Sequence, residues 1–166
     1  MQVMVMDTLT TTDPTEFRSV HERDLLRLMA WLSPAFPVGA FSYSHGLEYA
    51  VEAGRVTNRE MLLDWTTTIL MQGSGRVDAA LFRASHAAVL ARDAPLLVWA
   101  LERGDAMRAT RELGIEAAGQ GRAFLDMVSG PWPAPAFDWL RGIATASDRP
   151  VVYPVAVATA AAAYDI

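Results

Sequence analysis

Apolar side chains recur at three- and four-residue spacing along most of the chain, the period of a helix face turned toward a core. Leu25, Leu28, Met29 and Leu32 make the first such stripe, opened by a Ser19 and Glu22 capping-box pattern and stopped at Pro34. A second helix is expected from about Ser44 to Ala53, with Leu47, Ala50 and Val51 on one face and Gly54 ending it. Thr57 and Glu60 repeat the capping box ahead of a third, in which Met61, Trp65, Thr68 and Ile69 align until Gly73 and Gly75 end or kink it. Val77, Ala80, Leu81, Ala84 and Ala88 outline a fourth, and Asp93 caps a short fifth carrying Leu96, Leu97, Ala100 and Leu101 before Gly104. Asp105 reads as the start of a long sixth helix reaching about Val128, weakened at Gly114, Gly119 and Gly121 by up to about 1 kcal/mol each relative to alanine. Either a neighbouring helix approaches closely at these glycines or the helix unwinds at a functional surface. After the proline-rich loop Gly130 to Pro135, Phe137, Leu140, Ile143 and Ala144 fit another helix, and Pro154 begins the last. No alternating strand pattern or internal repeat occurs, so the pattern predicts an all-α, single-domain bundle of about seven to eight helices.

Composition narrows what such a bundle does. A chain of 166 residues, 52% apolar, is long enough for one domain that buries roughly 70% of its unfolded surface. With no cysteine it has no disulfide and no thiolate metal site; only carboxylates and three histidines remain as strong ligands. A net charge of −5 without any Lys/Arg run leaves no electrostatic footprint for nucleic acid or an anionic membrane, which points to protein partners. The opening MQVMVMDTLTTTDPTEF lacks the basic flank and apolar core of a secretion signal. Residues 1–18 are therefore expected to be a flexible tail, residues 19–166 one helical domain, and the location cytoplasmic. The most apolar window, Val151 to Ala163, falls short of the roughly 20 residues that cross a bilayer and reads as a core helix.

The candidate chemistry concentrates in residues 33–48. Pro34 and Pro37 fix two φ angles and Gly39 lets the chain turn, so the loop is stiff. It carries Phe36, Phe41 and Tyr43 beside Ser42, Ser44 and His45, large contact area with hydrogen-bonding rims at low entropy cost. Phe36, Pro37, Gly39, Phe41, Tyr43, Ser44, Gly46 and Glu48 are candidates for a partner surface or for holding one in shape; the competing reading turns the aromatics into the core. His45 and Glu48, one turn apart, could share a metal, but two ligands are not a site. Gly73-Ser74-Gly75-Arg76 lacks the lysine and preceding strand of a phosphate loop, and no nucleophile elbow or paired histidines occur, so no catalytic, cofactor or metal residues are assigned. Arg108, Arg111 and Arg122 are placed either on a solvated face, paired with Glu112 and Glu116, or on a surface whose guanidinium groups grip carboxylates of a partner. Trp65, Trp99, Trp132 and Trp139 read as core or edge packing.

The run from Leu25 to Val56, with Ser33-Pro34, Pro37, Gly39, Phe41, Tyr43-Ser44 and Gly46-Leu47-Glu48 followed by a small-residue helix and Gly54-Arg55-Val56, resembles the opening of the urease accessory protein F family. Arg108 to Leu125 is similar to that family's threonine-bearing helix ending in Gln-Gly-Arg-Ala, and Tyr153 to Ala163 resembles its Tyr-Pro-Val-Ala segment. The resemblance implies a chaperone of nickel-dependent urease metallocentre assembly rather than an enzyme. In that role it joins the nickel-carrying GTPase to the urease-binding accessory protein, so that nickel reaches the urease apoprotein within the complex, often as a homodimer. It also raises Arg122 as a docking residue. Family members normally continue for several more helices, so the chain reads as C-terminally truncated; if those helices cover Val151 to Ala163, a bare apolar strip is expected here. Two other classes remain: a regulator supplying Arg122 or Arg111 to the GTPase, and an independent helical metalloenzyme using His45 and Glu48.

Overall fold

The computed structural model describes residues 22–40 and 44–166. Among the described residues the chain is all helix and loop: α1 (Glu22–Trp31), α2 (Leu47–Glu52), α3 (Arg59–Met71), α4 (Ser74–Ala91), α5 (Ala94–Ala106), α6 (Arg111–Ser129), α7 (Pro135–Ser147) and α8 (Tyr153–Ala163). The expected tail and Ser19 of the first capping box lie outside the described residues.

The sequence of α8, YPVAVATAAAA, offers no polar face, and a helix apolar on every side must be enclosed. Pro154 to Ala162 are all buried, with α4 and α6 lying along the helix and α5 and α7 completing the sleeve. Its one hydroxyl, on Thr159, donates to the Val155 carbonyl at 2.9 Å and so needs no outside partner. The bare strip expected at Val151 to Ala163 is therefore not found: helices already present cover it. Phe124, Phe137, Leu81, Leu97, Leu101 and Leu140 fill the space around it.

Glycine settles how closely the helices pack. A methyl group on Gly121 would collide with the Val151 carbonyl oxygen and stand 2.7 Å from Val152 C and 2.9 Å from Tyr153 N, so α6 lies directly on the backbone that opens α8. Close approach, not unwinding, is the reason for Gly121; Gly119 has open space around it. Gly104 has the same role against Val152 Cγ2, 2.6 Å from an added Cβ. That is why it does not end a helix: α5 runs through Gly104 and Asp105 to Ala106. A Cβ added at Gly73 would stand 2.9 Å from the Ile69 carbonyl oxygen and one at Gly75 2.8 Å from Leu70 Cα, which makes them the tight α3–α4 corner rather than a phosphate cradle.

Three helices, α3, α5 and α6, start at side-chain acceptors. Asp93 Oδ1 accepts from the Leu96 N–H at 2.9 Å, as its position predicts. At α3 the cap is Asn58, accepting from Met61 N–H at 3.0 Å, while the Thr57 hydroxyl meets Met61 Sδ instead. At α6 it is Thr110, accepting from Leu113 N–H at 3.3 Å, and not Asp105. The first stripe, apart from Leu28, which packs against the core, turns the other way from expectation. Leu25, Met29 and Leu32 are 52%, 63% and 55% exposed, and the residue α1 buries completely is Trp31.

Candidate partner-docking surface

Trp31 fixes where the proline-bearing loop starts. Its indole stands edge-on to Phe124 and Trp132, centroids 6.3 and 5.9 Å away, and tilted against Tyr164 at 5.8 Å. Phe36 joins the same socket, 5.4 Å from Phe124, and Val38 is buried behind it. Short-range bonds then set the loop: Ser33 Oγ accepts from Ala35 N–H at 3.1 Å, the Ser33 carbonyl from Phe36 N–H at 2.9 Å, and the Phe36 carbonyl from Val38 N–H at 2.8 Å. Phe36 thus follows the inward reading and holds the loop in shape. Pro37, Gly39, Gly46 and Glu48 are exposed and Ser44 is half-buried; Phe41 and Tyr43 lie outside the described residues.

The far end of the loop enters α2 through two consecutive left-handed residues, His45 at φ 51° and Gly46 at φ 75°. A Cβ on Gly46 would sit 3.7 Å from Trp65 Cζ2, so this turn rests on the indole of α3. Beside it, Arg55, Met61, Asp64, Trp65, Thr68 and Ile69 line a surface cavity of about 360 Å³. The helical alignment read from the sequence is therefore a groove wall rather than a core face: α3 buries none of its residues. Tyr49 and Val51 of α2 and Leu62, Leu63, Leu70 and Met71 of α3 are likewise exposed. Apolar exposure on this scale across neighbouring helices marks interaction surfaces.

The three candidate arginines do different things. Arg108 belongs to the α5–α6 connection, not to α6, and its side chain is only 10% exposed. Its Nε donates to the Gly104 carbonyl at 3.1 Å and its Nη1 to Asp78 Oδ1 of α4 at 3.1 Å. It clamps the end of α5 to α4 and does not pair with Glu112. Arg111 and Arg122 are exposed, and among the described residues no acidic side chain forms an ion pair with either. Glu116 accepts from Gln120 Nε2 at 3.0 Å. Glu112, in the first turn of α6, has its carboxyl held below the usual range by its own backbone N–H and by the Thr110 hydroxyl. That favourable contribution is complete above the ordinary carboxylate range and is lost as pH falls through the lowered value. We expect Arg108→Ala to cost about 2 kcal/mol in denaturant unfolding because it removes a nearly buried side chain with its hydrogen bonds to Asp78 and the Gly104 carbonyl. Arg122→Ala should stay within about 0.5 kcal/mol of the parent.

No group of three or more His, Asp or Glu side chains that could hold a metal occurs among the described residues. His86 turns its Nε2 to the Ile166 carbonyl at 2.9 Å and stacks on Phe82; His21 lies outside the described residues. Sequence reasoning passed over Trp31, whose partners lie far along the chain.

The UreF family model matches residues 56–166, which is most of the bundle. The chain belongs to the UreF family. It is 47% identical over 143 residues to the urease accessory protein UreF of Methylorubrum populi, covering 86% of this chain and 62% of that protein. It is 41% identical over 161 residues to the UreF of Bradyrhizobium diazoefficiens, covering 95% and 65% respectively, an alignment that includes the loop at residues 33–48. The chain thus spans less than two thirds of the length of these UreF relatives. They carry the name of an accessory protein, not of an enzyme. No solved structure matches the chain at a significant level. None of its described helices is long and apolar enough to cross a membrane.

Proposed function

We propose that this UreF chain is a cytoplasmic scaffold for urease maturation, bridging the nickel-carrying GTPase and the urease-binding accessory protein so that nickel enters the urease apoprotein inside the assembled complex. The observation that carries this reading is the contrast within one molecule. A core closed around α8 coexists with α1–α3, most of whose large apolar side chains, Trp31 apart, face outward beside a loop braced by Phe36 and Trp65. Helix faces and a braced loop lose little conformational entropy on docking, which suits a bridge better than a reaction chamber. Pro37, Gly39, Phe41, Tyr43, Ser44, Gly46 and Glu48 are the contact residues, Phe36 their support, and Arg111 and Arg122 a second, charged contact; Arg108 is withdrawn to the interior. The outward faces of α1 and α3 also suit a homodimer.

Tyr43→Ala with Glu48→Ala is expected to weaken capture of the partner GTPase by at least about tenfold, as loss of one interface anchor does. A fold unchanged by circular dichroism should accompany the loss. Unchanged capture and unchanged urease activation would remove the loop from the interface. Arg122, exposed and without an ion pair among the described residues, favours one further reading, in which its guanidinium enters the GTPase site. Single-turnover GTP hydrolysis separates the two: an acceleration abolished by Arg122→Ala supports regulation, and no acceleration leaves the scaffold alone.

A further inference from the structure

Residues 22–40 are attached to the bundle differently from α4–α8, which pack on one another along shared seams. The 10 described residues of α1 are too few to hold themselves as a helix in water, and they share no extended seam with any other described helix. What seats it is a few side chains entering a socket built elsewhere: the Trp31 indole among Phe124, Trp132 and Tyr164, the Phe36 ring on Phe124, and Val38 behind them. Arg27 adds one contact, its guanidinium 4.4 Å over the Tyr164 ring. Of the stripe that would ordinarily bind a helix to its neighbours, only Leu28 packs against the core; Leu25, Met29 and Leu32 face away, as does Leu26. By contrast α8 is buried along its length, so it can open only when the whole bundle does.

We infer that residues 22–40 form a strap that leaves its aromatic socket as a unit while α4–α8 stay folded. Proteins open in such contiguous units, with free energies running from near zero up to that of global unfolding, and sparse attachment marks the low end. Opening carries Pro37 and Gly39 with it, so the strap regulates the docking loop. That consequence rests on the docking reading, whereas the opening itself does not.

The chain has no cysteine, which permits a clean test on the isolated protein without any partner, so that a failed docking reading leaves the result intact. Val38→Cys and Val155→Cys place one thiol in the strap and one in the core, at positions 8% and 0% exposed. In native buffer the first is expected to react with a thiol reagent at least about 100-fold faster, at a rate insensitive to low urea, and the second only through global unfolding. Adding Trp31→Phe should raise the Val38→Cys rate about tenfold and leave the Val155→Cys rate alone. Hydrogen exchange on the unsubstituted chain should show the same order, with amides of 22–32 exchanging well ahead of those in α8. Equal rates with equal urea dependence, or a Val38→Cys rate unmoved by Trp31→Phe, would overturn the strap.

Discussion

Gly121→Ala is expected to destabilise the protein by about 3 kcal/mol, while Gly119→Ala, two residues earlier on the same helix, stabilises it by up to about 1 kcal/mol. The chemical change is identical, and helix propensity alone predicts a gain at both sites because alanine loses less backbone entropy than glycine. The surroundings decide the sign. The new methyl at 121 meets only backbone, the Val151 carbonyl, Val152 C and Tyr153 N, none of which can rotate aside. Relief requires the start of α8 to move, and α8 is held by α4, α5 and α7 as well as by α6. At 119 nothing lies within 4 Å of the added carbon. Urea unfolding of both variants reads the result; two shifts of the same sign would mean that α6 does not lie on the α7–α8 connection as described.

The second large effect is at Phe124. Its ring is fully buried and touches Trp31, Phe36 and Tyr153, joining the strap, α6 and α8 in one contact. Phe124→Ala removes that junction and leaves a cavity, for which the expected cost is about 4 kcal/mol. For a chain of this size that corresponds to a fall of roughly 8–16 °C in the thermal midpoint. Phe124→Leu, which keeps most of the volume, should recover much of the loss. A midpoint displaced by only a degree or two in Phe124→Ala would show that the socket contributes little and that the strap is seated by something else.

The contrast between Asp93 and Asp105 shows what was legible along the chain. Asp93 stands alone before an apolar period, so its cap could be read directly. Asp105 offered the same residue type after a glycine, but Gly104 is there to admit Val152, and the contact that explains it comes from residues nearly fifty positions away. Asn58 was obscured by Thr57 beside it, a one-residue shift, whereas Thr110 takes the place of Asp105, which belongs to α5. α1 was misoriented for a deeper reason. Four medium apolar side chains outweigh one indole by periodicity, yet Trp31 decides the orientation because Phe124, Trp132 and Tyr164 assemble a socket that only the folded chain contains.

The candidate surface divides in the same way. Gly39 adopts the positive φ that its place in a turn demands, and this was readable locally; Gly46, expected inside a helix starting near Ser44, is instead left-handed just ahead of α2. That Phe36 faces inward while Pro37 and Glu48 face outward depends on Phe124, and that Arg108 is a clamp depends on Asp78, 30 residues earlier. The openness of α3 could not be read at all, since its stripe of Met61, Trp65 and Ile69 is equally suited to a core and to a groove.

Co-expression of this chain with the partner GTPase, the urease-binding accessory protein and urease apoprotein, followed by size exclusion and assay of urease activity, tests the central claim most directly. A co-eluting complex with nickel-dependent activity, both lost together in the Tyr43→Ala, Glu48→Ala double variant while the isolated variant keeps its unfolding midpoint, is the expected outcome. Full activation by that variant, or activation with no complex formed, would contradict the account.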